Sequence, residues 1–381
     1  MIEVANRLKY VEEYYFSKKL REVRGLIAEG RPIINLGIGS PDMNPPKSVL
    51  EAISEASFQE NVHGYQSYQG LPELRKAMVS FYQKNFNVDL NFIDEVLPLM
   101  GSKEGILHIS MAFLNEGDAV LIPNPGYPTY ASVTNLVQAR PIFYDLKEEN
   151  HWEPDLEAIE KMDLSKVKLM WINYPHMPTG AAGSDELFRR LLSFAKKHQI
   201  LLINDNPYSF VLNQNPKSIL QFEGSKEVAI ELNSLSKTYN IAGWRVGMVV
   251  GNKEILTSIL QVKSNMDSGM YFGIQQGAIA ALNLPGSWTT DMNSTYEKRR
   301  ELIWKICDRL NCSYDKNSTG MFVWAKVPKG KSENELTDQL LYKHDVFITP
   351  GTVFGSNGKG YVRFSLCLKE EKIKEVLTRI S

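Results

Sequence analysis

With 381 residues, 43% hydrophobic and 23% charged, the chain has the make-up of an ordinary globular protein, long enough for one large core and a smaller one. A formal charge of −1 leaves no basic excess for nucleic acid or an anionic membrane surface. Cys307, Cys312 and Cys367 lack metal-ligand spacing, the opening MIEVANRLKY has no signal-like apolar stretch, and no apolar run approaches the ~18–20 residues of a membrane span, so a reduced, cytoplasmic setting is expected.

In chain order, residues 1–45 read as a charged helix followed by a Gly/Pro-rich turn. From about residue 45 to 280, amphipathic helical stretches alternate with short apolar runs: AVLIP (119–123), PIFYDL (141–146), KLMWINY (168–174), QILLIND (199–205), VAIELNS (228–234) and RVGMVVG (245–251). Runs that are apolar throughout predict strands covered on both faces, and hence a mainly parallel sheet with helical crossovers. Residues 282–381 mix helices with strands such as FVWAKV (322–327) and YVRFSL (361–366). The expectation is an α/β protein with a large domain over 46–281 and a smaller α+β domain built from 1–45 and 282–381. In open α/β sheets ligands sit outside the carboxyl ends of the strands. Polar clusters follow those ends here, namely NPGYPTY, NYPHMPTG, NDNPY and NSLSK, and together they outline a site.

GSKEG (101–105) follows the strand-like EVLPLM and opens an amphipathic helix. Gly, Ser and free N–H groups at a helix start form an anion cradle, although alone Ser102 reads more simply as a helix cap. Tyr127, in NPGYPTY, sits on a Pro-bounded turn where its face could stack on a flat ring or merely pack. Asp205, in NDNPY, ends an apolar strand, and a half-buried carboxylate wants a cationic partner. A protonated pyridine nitrogen would be such a partner, kept charged by the aspartate so that the ring draws electrons, while Tyr208 could donate to the ring's phenolic oxygen. Taken alone, the same residues form a common Asp–Asn turn. In SLSKTYNIAGWRVG (234–247), Lys237 follows a buried strand and is flanked by Ser234, Ser236 and Arg245. A desolvated lysine near other cations has a lowered pKa and forms Schiff bases, and the hydroxyls and guanidinium suit a phosphate. An isolated SxSK would be read as a surface lysine.

The stretches NLGIGSPD (35–42), YQSYQGLPELR (65–75), GSKEG, NPGYPTY, NYPHMPTG (173–180), NDNPY, SLSK…GWRVG and YVRFS (361–365) occur in an order and spacing that resembles the class I/II aminotransferases of pyridoxal-5′-phosphate (PLP) fold type I. The resemblance covers nearly the whole chain. YYF (14–16), GIGSPD, GSKEG and KSNMDSG (263–269) resemble most the branch of LL-diaminopimelate, aspartate and alanine aminotransferases. It implies Lys237 as the Schiff-base lysine, Asp205 at the pyridine nitrogen, Tyr208 at the phenolic oxygen and Tyr127 stacked on the ring. It implies that Ser102, Lys103, Ser234, Ser236 and Arg245 surround the phosphate, that Asn173 lies beside the cofactor, and that Tyr65 comes from the second subunit of a homodimer. Gly39 and Arg363 would meet the substrate, Arg363 gripping the α-carboxylate with its planar fork. One departure stands out. The family usually reads NYPNNPTG where this chain reads NYPHMPTG, so Met177 replaces an amide that bonds the phenolic oxygen, and His176 replaces its neighbour.

The implied reaction is amino transfer between an amino acid and a 2-oxo acid in two half-reactions, with Lys237 first as anchor and then as base and acid. A PLP-dependent β-lyase or decarboxylase would use the same cofactor site, and a non-enzymatic amino-acid sensor would carry an added DNA-binding segment. GIGSPD lacks the third glycine of a dinucleotide fingerprint. The histidines His63, His108, His151, His176, His198 and His344 show no ligand spacing, so no metal is expected. A dicarboxylic substrate would need a second cation, for which Arg7, Arg21, Arg24, Arg31 and Lys263 are equal contenders.

Overall fold

A computed structural model describes residues 2–381. Its strands are β1 (Ile34–Asn35), β2 (Val96–Leu99), β3 (Ala119–Asn124), β4 (Arg140–Asp145), β5 (Val167–Ile172), β6 (Leu201–Asp205), β7 (Ala229–Ser234), β8 (Gly247–Gly251), β9 (Ser313–Tyr314), β10 (Phe322–Lys326), β11 (Val346–Phe347), β12 (Thr349–Pro350) and β13 (Tyr361–Ser365). Strands β2 to β8 form one sheet in the order β2-β8-β7-β6-β5-β3-β4. It is parallel from β7 through β4, whereas β8 runs antiparallel to both β7 and β2. The mainly parallel sheet expected from the continuous apolar runs is therefore what forms. Met170, Ile172, Met248 and Val250 face one core, while Leu169, Trp171, Ile230, Leu232 and Val249 face another, so helices cover both sides.

Two runs depart from the expectation. PIFYDL is the edge strand β4 and is largely open on one face, with Phe143 49% exposed, because no neighbour covers the border of the sheet. VAIELNS hides an acid. Glu231 on β7 is fully buried and accepts hydrogen bonds from Tyr82 Oη (2.9 Å), Asn204 Nδ2 (2.9 Å) and the Ile219 N–H (3.0 Å). These three donors compensate a burial that raises its pKa.

A second, antiparallel sheet has the order β12-β13-β10-β9, and β1 pairs in parallel with β11. Both lie against a third core that contains Phe16, Met177, Tyr208, Phe322 and Phe354. The site lies where this core meets the carboxyl ends of the large sheet.

Candidate active site

Parallel strands β7, β6, β5 and β3 lie side by side, so Ser234, Asp205, Asn173 and the turn after Asn124 emerge along one edge. They line a cavity of about 540 Å³. Of the residues singled out in the sequence, Gly39, Ser102, Lys103, Tyr127, Asn173, Met177, Asp205, Tyr208, Ser234, Ser236, Lys237, Arg245 and Arg363 all border it. Tyr65 does not; it is 93% exposed and outside the cavity of its own chain.

At one end is a cradle for an anion. Gly101 caps the helix Ser102–Phe113 with φ +90°, so Ser102 begins the helix and does not cap it. A side chain at Gly101 would place its Cβ 2.2 Å from Arg245 Nη2, so only glycine lets the guanidinium close over this helix start. Arg245 precedes β8 and takes a left-handed φ of +58°, a turn that aims its side chain back toward Gly101. Ser234 caps the short helix Leu235–Thr238 by accepting from the Ser236 N–H (3.2 Å), while the Ser236 hydroxyl is buried without a partner among the described residues. Lys103 holds its ammonium 4.6 Å above the Tyr14 ring, and burial, with Arg245 adding to it, lowers its pKa.

At the middle, Asp205 is buried. Tyr130 Oη donates to Oδ2 (2.8 Å), while Oδ1 has no partner among the described residues. Burial raises its pKa to about 6. Tyr130 is held in turn by stacking on Trp171 at 4.9 Å, and Tyr127 meets it edge-on at 5.6 Å. Asn173 donates to the Asp205 carbonyl and accepts from the Met177 N–H (2.8 Å), locking the loop after β5 to the end of β6. Tyr208 is buried, which raises its pKa.

Lys237 Nζ donates to the Gly39 carbonyl (2.7 Å). Loss of hydration lowers its pKa, and Arg363 and Arg245 push the same way against the opposite pull of Cys367. Arg363, on β13, donates to the Gly37 carbonyl (2.8 Å) and lies over the rings of Phe322, Phe354 and Phe16 at 3.9, 4.6 and 5.5 Å. Burial lowers its pKa to about 10, which leaves it charged at neutral pH. The Met177 sulfur sits 3.2 Å from Arg363 Nη1. His176 faces away from the cavity lining and bonds Thr179 Oγ1 through Nδ1 (2.8 Å), its pKa pulled down to about 3 by burial.

Sequence reasoning passed over Tyr14, Phe16 and Tyr130. All three lay within quoted motifs, but nothing in the spacing tied Tyr130 to Asp205 or set Tyr14 and Phe16 at the cavity. Of the five proposed extra cations, Arg21 pairs with Glu13, Arg31 with Asp345 and Lys263 with Asp267, and none of the five lines the cavity. Ligand atoms of Glu104, His108 and Asp267 lie within 4.8 Å of one another, an acid–His pair at i, i+4 that a search of histidines alone overlooks. The Lys263 ammonium already sits 2.8 Å from the Asp267 carboxylate.

Two features fit PLP in particular: a buried carboxylate oxygen still needing a cation, and a helix start closed by a guanidinium with a free hydroxyl beside it. Comparison with known proteins agrees. The chain is 40% identical over its whole length to an LL-diaminopimelate aminotransferase of Aquifex aeolicus, covering 99% of that protein. It is 39% identical to one from Halothermothrix orenii, covering all of this chain and 98% of that one. Among solved structures, substrate-bound BacF from Bacillus subtilis superposes with a TM-score of 0.95 at 36% identity, covering 100% of this chain and 97% of that one. No helix among the described residues is long and apolar enough to cross a membrane. The family profile described as aminotransferase class I and II matches residues 31–380, and the chain belongs to this family of PLP-dependent enzymes.

Proposed function

We propose that Lys237 is both the covalent anchor of PLP and the base and acid of amino transfer. The observation that carries this is the position of its amine, depressed in pKa and sharing one cavity with the anion cradle, the orphaned Asp205 oxygen and Arg363. When bound, PLP supplies an electron sink for the pair left at the substrate Cα. Asp205 keeps the pyridine nitrogen protonated, with Tyr130 holding the carboxylate in line. Ser102, Lys103, Ser234, Ser236 and Arg245 hold the phosphate, Tyr127 covers the ring, and Asn173 braces Asp205 and Met177 at its side. Tyr208 donates to the phenolic oxygen. Arg363 and the Gly39 segment fix the α-carboxylate, which brings Cα within reach of Lys237 Nζ. The Lys237 amine would hold and move the proton at the substrate Cα, and would do so in the opposite sense with the 2-oxo acid. Lys237→Ala should abolish turnover and leave no adduct that borohydride fixes to the chain; cofactor still fixed to the variant would remove Lys237 from this role.

The same reading includes a homodimer in which Tyr65 reaches the neighbour's phosphate, supported by the exposure of Tyr65 away from its own cavity. It divides the chain into a large domain, 46–281, and a small one, 1–45 with 282–381; all strands of the large sheet falling between 96 and 251 supports this. A cytoplasmic setting agrees with three buried free thiols. Two relatives are named for LL-diaminopimelate, which makes that amino acid a first donor to test.

A further inference from the structure

We infer that Lys263 and Asp267 are positioning residues for the phosphate site of the neighbouring subunit, because they hold from beneath the segment that presents Tyr65. This rests on the reading above in which Tyr65 reaches the neighbour's phosphate. Within their own chain, residues 65–69 expose every side chain except the half-buried Gln66, so packing of side chains does not fix their path. The backbone is held instead. The Lys263 ammonium donates to the Tyr68 carbonyl (3.0 Å) and to Asp267 Oδ1 (2.9 Å). The same oxygen accepts from the Gly269 N–H (2.9 Å). Gly269, with φ +83°, lies directly against the segment: a Cβ there would stand 2.5 Å from the Gln66 carbonyl oxygen and 2.8 Å from that of Ser67. Gln275 closes the far end, accepting from the Leu71 N–H (2.7 Å) and donating to the Met270 carbonyl (2.6 Å). Lys263 and Asp267 are themselves buried, their side chains 3% and 4% exposed. Two charges withdrawn from water recover that cost only in a fixed geometry, which makes the pair a stiff support for a segment that lies on the surface. The pair also borders its own chain's anion cradle. Ligand atoms of Asp267, His108 and Glu104 lie within 4.8 Å of one another, and Glu104 accepts from the Met100 N–H (2.6 Å) just ahead of Gly101. Action on the chain's own cradle and action on the neighbour's are therefore the two roles to separate, and the direct bond to Tyr68 favours the neighbour's.

The test uses full-length chains in mixed dimers where only one subunit keeps Lys237, so that PLP fixed by borohydride reports a single site. In the first dimer, the double substitution Lys263→Met with Asp267→Asn stands on the Lys237→Ala chain and faces its partner's intact site. In the second, it stands on the chain that keeps Lys237. Removing both charges together leaves no unpaired charge buried. The first dimer should need several-fold more PLP for half-maximal fixation, the loss of about one phosphate contact. The second should match a dimer that carries Lys237→Ala alone. Gly269→Ala, which pushes on the Gln66 carbonyl and keeps both charges, should give the same pair of results, and it carries the test if the double variant does not fold. Tyr65→Ala in both arrangements is the reference. If Tyr65→Ala weakens only the first dimer while the other variants weaken neither, or weaken the second as much, the positioning role is overturned and the shared site stands. If Tyr65→Ala leaves the first dimer unchanged, or the chains do not pair, the shared-site reading falls and this inference falls with it.

Discussion

Asp205 lies at the end of β6 with 5% of its surface exposed, one oxygen bonded to Tyr130 and the other awaiting a cation. In the cofactor-free chain its pKa is raised from 3.8 to about 6, so between these values the folded state holds a proton that the unfolded state has released. Stability is then fully retained below about pH 4 and falls as pH rises through 6, by an amount on the order of 2–3 kcal/mol. Asp205→Asn removes that cost. The cofactor-free variant should melt above wild type at pH 8, with the gap closing toward pH 4, while turnover collapses because the ring nitrogen is no longer held charged. Thermal unfolding at the two pH values checks the first part and rate measurements at saturating PLP the second. At Met177 the thioether cannot donate, and the phenolic oxygen lacks a partner that would favour its anion. Met177→Asn should lower the pH midpoint of the bound cofactor's absorbance by roughly one unit or less, the worth of one hydrogen bond. His176→Ala should leave the midpoint unchanged, because His176 bonds Thr179 and does not border the cavity. A shift confined to the histidine variant would reverse these assignments.

Among the elements, the helix Ser102–Phe113 shows how backbone and side chain share one task. Its first turn supplies the anion cradle only because Gly101 is glycine. Gly101→Ala should weaken PLP binding roughly tenfold or more by displacing Arg245, the loss of about one charge-assisted contact, with overall secondary structure kept. Equilibrium titration of the apo-protein with PLP measures this; unchanged affinity would show that Arg245 does not need the space. Elements of this kind were largely legible in the sequence, because buried parallel strands read as apolar runs and their ends as polar motifs. The exceptions have physical causes. PIFYDL matches its buried sisters in composition, and only sheet order makes it an edge. Glu231 sits in an apolar run because Tyr82, Asn204 and Ile219 satisfy it, and none of these is local in sequence. Tyr14 and Phe16 belong to a charged, amphipathic segment whose neighbour is set by tertiary packing, so nothing local marked them as cavity wall.

For the whole molecule, Tyr65 makes the proposed assembly testable. Light scattering should give twice the chain mass for the active species, and Tyr65→Ala should raise the PLP dissociation constant several-fold by removing one phosphate contact. A fully active monomer would exclude shared sites.

The hydrogen bond from Arg363 to Gly37 spans 326 residues of sequence, and that from Lys237 to Gly39 spans 198. The anion cradle and the Asp205 end, by contrast, are drawn from residues 101 to 245. Closing the longer loops costs only slightly more chain entropy, by less than about 1 kcal/mol, because that cost grows with the logarithm of length. The cofactor end of the site is thus built within the central stretch of the chain, whereas the substrate end needs both terminal stretches brought onto it.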